Sequence, residues 1–520
     1  MSAERQERRW TNLAEIGSCY PSHHHYPTNT EDVKRIVELV RSLNGKCRVA
    51  GAGKSPNTAT FTNDHLIHMD RMARILSIDP VACTMTCEAG AVMEEVMRSL
   101  DEVNLMLRCV PSYVQTTVGG CIATASHSSG IECHSLSDYV RGLTLVDGRA
   151  RVHTLVAGKD DAELRLAACH LGVMGVVTEV TLEVQPRVQW KLSSRPLSMR
   201  DATSAALVAH KVKSSEYYRW WWVPHTDGCY ESYGSIEGTT DSFSPPPYSD
   251  QNPAQDEGSV KSSTAASMGV SNDRNGPAAH PPPTSTTTED PLLNADSPTD
   301  SRTSLVVKNA LKYIATGFVR HQVVEWSLWA ACLYPAIQPY INKAYQQLFY
   351  STPQVQRGPA LECFTFDCLF KQWANEWAID ASRAVEAFNR LREMIDREGM
   401  LLHFPVEFRF TAADASDMSP AVGRPTCWIG VVMYRPHGRE ARDTRRCYDS
   451  FCHLMQEMGG RPHWAKYYDW GHREMAAAYG DHWERFLALR RKMDPEDIFV
   501  NQWFANLVSL DRRNSTEYTP

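Results

Sequence analysis

Helical and strand-like rhythms of apolar residues alternate between about residue 20 and residue 186. Acidic residues follow Thr30, which marks it as the predicted N-cap of a helix running to Leu43, and Asn44-Gly45 ends that helix. Residues 65–69 form a short apolar strand candidate, and 88–92 lead into a predicted helix over 92–100. Two β-rich runs, 139–146 and 151–156, flank Asp147-Gly148, a pattern that predicts a hairpin. Residues 172–184 settle into apolar–polar alternation, the mark of a strand leaving a glycine loop. Together these elements predict an α+β domain.

The rhythm changes in the second half. Residues 187–235 carry apolar runs and Trp220-Trp221-Trp222, read as a core or sheet-face cluster, with a pocket wall as the alternative. From Gly238 to Arg302 Ser, Thr, Pro, Gly, Asn and Asp dominate, a composition that buries too little apolar surface to fold. A disordered insertion without catalytic residues is expected there. Helical patterns resume over 305–317, 338–349 and 380–398, with a sheet segment over 403–434. The most apolar window, 323–337, is too short to span a membrane and contains Glu325. It is read as a helix of the second domain, with weak interfacial membrane contact through Trp326 and Trp329 as the minor alternative. The expected divisions are an extension (1–19), a first domain (20–189), a second domain in two parts (190–236 and 304–490), the insertion between them (237–303), and a C-terminal segment (491–520) returning to the first domain.

Composition narrows the class. Hydrophobic content of 42% and charged content of 22% suit a globular protein, and 520 residues suit two domains. A net charge of −7 argues against a nucleic-acid binder. Fifteen cysteines show no regular spacing, so reduced thiols in an intracellular protein are expected, not a disulfide framework or zinc site. The polar N-terminus lacks the apolar core of a signal peptide, which leaves cytoplasmic and organelle-associated locations open. His23-His24-His25 is read as an ordinary turn, because three consecutive side chains cannot converge on one ion from regular backbone.

Candidate chemistry gathers in two glycine-rich loops. Residues 48–57 resemble a P-loop, but Arg48 stands where its first glycine belongs. They also fail as a dinucleotide fingerprint, because Pro56 replaces the third glycine. A surface turn and a phosphate cradle are both compatible with this loop alone. Residues 117–130 supply a second loop of small and hydroxyl-bearing residues, and two such loops suit a large nucleotide cofactor.

These loops resemble the G-x-G-H-S-P and T-x-x-G-x-x-x-x-G-T-H-G-S segments of the aldonolactone oxidoreductases, a family of the vanillyl-alcohol-oxidase flavoprotein superfamily. Val406-Glu407-Phe408-Arg409-Phe410 resembles the family's E-x-R-[FW] element, His463-Trp464-Ala465-Lys466 its H-W-[AG]-K, and residues 494–503 its D-P-x-x-x-F-x-N segment. The resemblance implies a two-domain FAD enzyme oxidising a sugar lactone such as D-arabinono-, L-galactono- or L-gulono-1,4-lactone. Oxygen would be the acceptor, with cytochrome c as the alternative. A flavin-fold binding protein without catalysis is the reading from another class, and the intact Glu407, Arg409, His463 and Lys466 argue against it.

By resemblance, FAD contacts fall to Ala50, Gly51, Ala52, Gly53, Lys54, Ser55 and Pro56 in the first loop. In the second they fall to Val118, Gly119, Gly120, Ala123, Thr124, Ser126, His127, Ser128 and Ser129, with Gly175, Val176 and Val177 beyond. Glu407 would hydrogen-bond or deprotonate the reacting hydroxyl. Arg409 would bind a substrate oxygen and stabilise the charge that develops. Lys466 and His463 would complete the pocket, and Ser129 would contact substrate. No metal is implied. Lys54 stands where several members attach flavin covalently through histidine, so noncovalent FAD is expected. Ala125-Ser126-His127-Ser128 replaces the usual G-T-H-G, and each added Cβ is expected to narrow the space through which oxygen approaches.

Overall fold

Residues 9–237, 321–366 and 370–509 are described by a computed structural model. Apart from Glu237, the expected insertion lies outside these residues, as does the helix predicted over 305–317.

Among the described residues, seventeen strands build the two domains. In the first domain β1 (His23–His25), β2 (Cys47–Ala50) and β3 (His65–His68) form a parallel sheet in the order β1-β3-β2. A second sheet is antiparallel: β4 (Ile75–Asp79), β5 (Thr84–Glu88), β9 (Val176–Pro186), β7 (Val140–Val146) and β8 (Val152–Val156), with β6 (Leu105–Leu107) also on β9. β9 holds the centre because Val180, Leu182 and Val184 are buried while Glu179, Thr181 and Glu183 between them are only partly covered.

The second domain is one eight-stranded antiparallel sheet, ordered β13 (Gln354–Gly358), β10 (Trp190–Leu197), β12 (Cys229–Ile236), β11 (Tyr217–Trp222), β15 (Val406–Thr411), β16 (Thr426–Tyr434), β14 (Gln372–Asp380), β17 (Arg461–Pro462). Helix Ala384–Glu398 packs Phe388 edge-on against Trp220 and Phe408, so β11 and β15 present those two aromatics to the core and their intervening residues to the opposite side.

Several sequence expectations shift. The helix Thr30–Ser42 buries Val33, Val37 and Val40, but its N-cap is Asn29, not Thr30. The Asn29 backbone is extended and its carboxamide oxygen accepts from the Asp32 N–H at 2.9 Å. The triple histidine is a strand rather than a turn, because its imidazoles find partners on β3. The helix expected from 380 begins at Ala384, after a tight turn in which Asp380 accepts from the Ser382 N–H at 2.9 Å. The sheet segment 403–434 is two strands, β15 and β16, with irregular chain between. The helix Gln338–Phe349 matches its predicted span. Residues 321–333 are helical, and no helix among the described residues is long and apolar enough to cross a membrane.

Two buried histidines give stability a pH dependence. Each accepts a backbone N–H at Nδ1: His403 from Tyr434 at 2.9 Å, His170 from Gly172 at 3.0 Å. Burial holds His403 down to about 3, and burial with Arg48 nearby holds His170 at about 4. The unfolded chain therefore binds more protons below its own histidine value of about 6.5, and stability falls as pH drops from there towards 4. Between pH 7.5 and 5 the two sites together should remove about 4 kcal/mol. Urea midpoints across this range should show the loss. His403→Gln, which keeps an acceptor for Tyr434, should reduce the loss by about 2 kcal/mol. An unchanged slope in that variant would contradict the assignment.

Candidate active site

The two glycine loops line a cavity of about 600 Å³ that extends to the face of the eight-stranded sheet of the second domain. Buried contacts behind the first loop hold it in place. The Arg48 guanidinium donates to the carbonyls of Gly172 and Phe499, both at 2.7 Å, and to that of Leu171 at 3.1 Å. Asn57 Nδ2 donates to the Trp464 carbonyl at 2.6 Å. Asn501 Nδ2 reaches the carbonyls of Thr58, Ala59 and Phe61 at 3.0–3.3 Å. The C-terminal segment is thereby tied to the first loop.

The loops also interlock. A Cβ on Gly51 would stand 2.1 Å from Thr117 Oγ1, and Thr117 caps the short helix Val118–Ala123. Only glycine permits that approach. Gly175, at φ +156, carries the third stretch, where a Cβ would meet the Val146 carbonyl at 2.4 Å. Ala52, Gly53, Lys54 and Ser55 line the cavity, and no hydrogen bond among the described residues uses their backbone N–H groups. Such donors fit the phosphates of a nucleotide cofactor.

Strand register sets the charged end. β11 pairs with β15 so that Arg219 opposes Arg409 and Trp221 opposes Glu407. β16 places Gly430 opposite both Glu407 and Glu376. Two carboxylates therefore stand in one row across a residue without a side chain. The Arg409 guanidinium joins them. Its Nη2 donates to Glu376, its Nε lies 3.4 Å from Glu407 Oε2, and its Nη1 reaches Ser112 Oγ at 3.4 Å. Glu407 Oε1 accepts the Trp221 indole N–H at 3.1 Å and an Arg219 N–H at 3.4 Å. Arg219 in turn lies over the Trp221 ring, 4.3 Å from its centroid.

Burial works against the Glu376 charge, yet Arg409 foremost, then His127 and Lys466, hold its carboxyl well below the usual range. Burial likewise opposes the charge of Arg409, but Glu376 and Glu407 outweigh it and raise its value. His463 is driven well below its ordinary value by burial, and Ala465 N–H donates to its Nδ1 at 3.0 Å. The neutral ring thus carries its proton on Nε2 and serves as a donor. His127 stacks on Trp428 at 3.7 Å and donates from Nδ1 to the Ser128 carbonyl at 3.0 Å. Burial, then Arg409, lowers its value too.

Of the residues singled out from sequence, Gly51 to Pro56, Gly119, Gly120, Ala123, Thr124, Ser126, His127, Gly175, Val177, Glu407, Arg409, His463 and Lys466 line this cavity. Ala50, Val118 and Val176 point into the core instead. Ser128 also stands outside the lining. Ser129 is placed behind the wall: its hydroxyl donates to the Tyr218 carbonyl and accepts from the Phe410 N–H at 3.2 Å, leaving it unavailable to substrate. Ala125 and Ser128 do not line the cavity, so their Cβ atoms do not narrow it. Of the three tryptophans, Trp220 and Trp222 are core, but Trp221 faces the cavity. Arg219, Glu376 and Gly430 carried no motif. The signal available for Glu376 was an acid at the middle of a strand rich in tryptophan and alanine.

The family described as D-arabinono-1,4-lactone oxidase matches residues 288–507, and the one described as FAD binding domain matches residues 21–155. The chain is 27% identical to L-gulonolactone oxidase of Bos taurus over 498 residues, covering 95% of this chain and 97% of that protein. It is 26% identical to L-gulonolactone oxidase of Scyliorhinus torazame over 496 residues, with the same coverage of 95% and 97%. Among solved structures, cholesterol oxidase from B. sterolicum superposes with a TM-score of 0.65 at 15% identity, covering 96% of this chain and 97% of that one, a likeness of fold alone.

Proposed function

We propose that this chain, which belongs to the aldonolactone oxidoreductase family of the vanillyl-alcohol-oxidase-type flavoproteins and is an FAD-dependent oxidoreductase, oxidises an aldono-1,4-lactone at its C2 hydroxyl with oxygen as acceptor. The observation that carries this reading is the placement of Glu407 and Arg409 together on the cavity face of β15, braced by Arg219 and Trp221 from β11. FAD, when bound along the glycine loops, supplies the two-electron oxidant that takes a hydride from C2.

The protein's own groups do the rest. Glu407 Oε1 is already engaged by Trp221 and Arg219, which leaves Oε2 to accept the C2 hydroxyl proton. Arg409 Nη1, whose contact with Ser112 is long, donates to the lactone carbonyl oxygen as charge builds there. His463 Nε2–H and Lys466 add donors for ring oxygens. Loss of the hydroxyl proton and of hydride leaves a 2-keto lactone, which tautomerises to an ascorbate-type ene-diol. Oxygen takes up the two electrons and two protons as hydrogen peroxide.

A panel of D-arabinono-, L-galactono- and L-gulono-1,4-lactones tests the reading. Lactone-dependent oxygen uptake with matching peroxide is expected. Turnover with cytochrome c alone would transfer the activity to a dehydrogenase, and no turnover with any lactone and acceptor would contradict the reaction.

FAD is held without a covalent bond in this reading. Lys54 lines the cavity within the first loop, and a protonated ammonium has no lone pair with which to bond the flavin ring. Acid or heat should therefore release all the flavin to the supernatant. A fluorescent protein band on a denaturing gel would contradict this.

A further inference from the structure

The histidines of β1 and β3 form a cluster that lactone oxidation does not use. In extended backbone His23 and His25 share one face, and the register sets His23 beside His65. His65 is buried, and its Nδ1 lies 2.9 Å from His25 Nε2. Its other nitrogen, Nε2, lies 3.3 Å from Asp64 Oδ1. Ser22 holds the two chain segments together: its hydroxyl donates to the Asp64 carbonyl at 2.8 Å and stands 3.0 Å from His23 Nδ1. One ligating atom each from His23, Asp64 and His65 all lie within 4.8 Å of one another, and the site is empty. His24 lies on the opposite face, where its Nδ1 pairs with His68 Nε2 at 2.8 Å.

We propose that His23, Asp64 and His65 form a binding site for a divalent transition-metal ion of the zinc class, with its fourth position open to solvent. Two imidazole nitrogens and a carboxylate oxygen are a donor set that zinc accepts. Tetrahedral bonds of ~2.0–2.1 Å place neighbouring ligand atoms ~3.3–3.4 Å apart, which is the separation already held between Asp64 and His65. Only the exposed His23 ring has to close on the ion. The supporting shell is present. With Nε2 of His65 on the metal, its Nδ1–H donates to His25, and the Lys46 N–H donates to Asp64 Oδ2 at 2.6 Å. The ion would clamp edge strand β1 onto β3, next to the strand from which the first glycine loop departs.

Calorimetric titration of the FAD-loaded protein with zinc chloride tests the site. The wild type should bind one zinc ion that His23→Ala and Asp64→Asn each weaken at least ~10-fold. His24→Ala, on the other face, should bind as the wild type does. Because His23 is exposed, its replacement leaves the fold intact, and melting curves without zinc should coincide. Zinc affinity unchanged in both His23→Ala and Asp64→Asn would place the ion elsewhere and overturn the proposal, as would no binding by the wild type at micromolar zinc.

Discussion

Arg409→Ala is expected to slow flavin reduction by lactone about a hundred- to a thousandfold, or ~3–4 kcal/mol of transition-state stabilisation. The loss has two sources. In the proposed reaction the guanidinium is the donor to the lactone carbonyl. It is also the cation that separates Glu376 from Glu407 across Gly430. Without it one of those carboxyls takes up a proton, and the proton acceptor at the reacting hydroxyl is weakened. Arg409→Lys should recover part of the rate, because it restores charge but not the fork that reaches both acids. FAD content should stay near that of the wild type, since the glycine loops are untouched. Rapid mixing without oxygen measures the step directly. Reduction at an undiminished rate in Arg409→Ala would return the Glu407–Arg409 pair to a structural role.

Glu376→Ala is expected to cost both stability and rate. Its carboxylate is the buried partner of Arg409, and without it the guanidinium keeps the 3.4 Å contacts with Glu407 and Ser112. Removing one member of a buried pair leaves an uncompensated charge, a loss of ~3 kcal/mol or more. An arginine drawn towards Glu407 also leaves its place opposite the lactone, so a fall of about a hundredfold in turnover should accompany it. Glu376 has its folded value depressed, so its stabilising contribution is present above its unfolded value of about 4.5 and is lost as pH falls through the folded value. The gap in urea midpoint between wild type and Glu376→Ala should therefore narrow towards acid. Glu376→Gln keeps an acceptor for Arg409 and should lie between the two. Equal midpoints at neutral pH would contradict the buried-pair account.

The sequence made some of this architecture legible and concealed the rest for identifiable reasons. Glu407 and Arg409 were readable because one strand carries both, and alternation alone puts residues two apart on one face. Their partners come from other strands. Glu376 lies 31 residues before Glu407, and Arg219 lies 190 residues before Arg409, so only sheet register brings them together. Trp221 was hidden by its neighbours: three adjacent tryptophans look alike, and the pairing of β11 with β15 decides which one meets Glu407. Ser129 misled because a hydroxyl in a small-residue loop suits a ligand, whereas here it is consumed by the chain of β11 and β15. The triple histidine misled in the same way. Its partners, His65 and His68, lie forty residues on, beyond the reach of local pattern.

Oxidation of an aldono-1,4-lactone through FAD bound in this cavity is the proposed reaction. Its most direct test is the visible flavin spectrum of the purified protein, recorded without oxygen as each lactone is added. The account predicts that at least one lactone bleaches the oxidised flavin band completely, that one mole suffices per mole of flavin, and that admitting oxygen restores the band. A flavin band that no aldonolactone bleaches, in protein whose flavin dithionite still reduces, would contradict it.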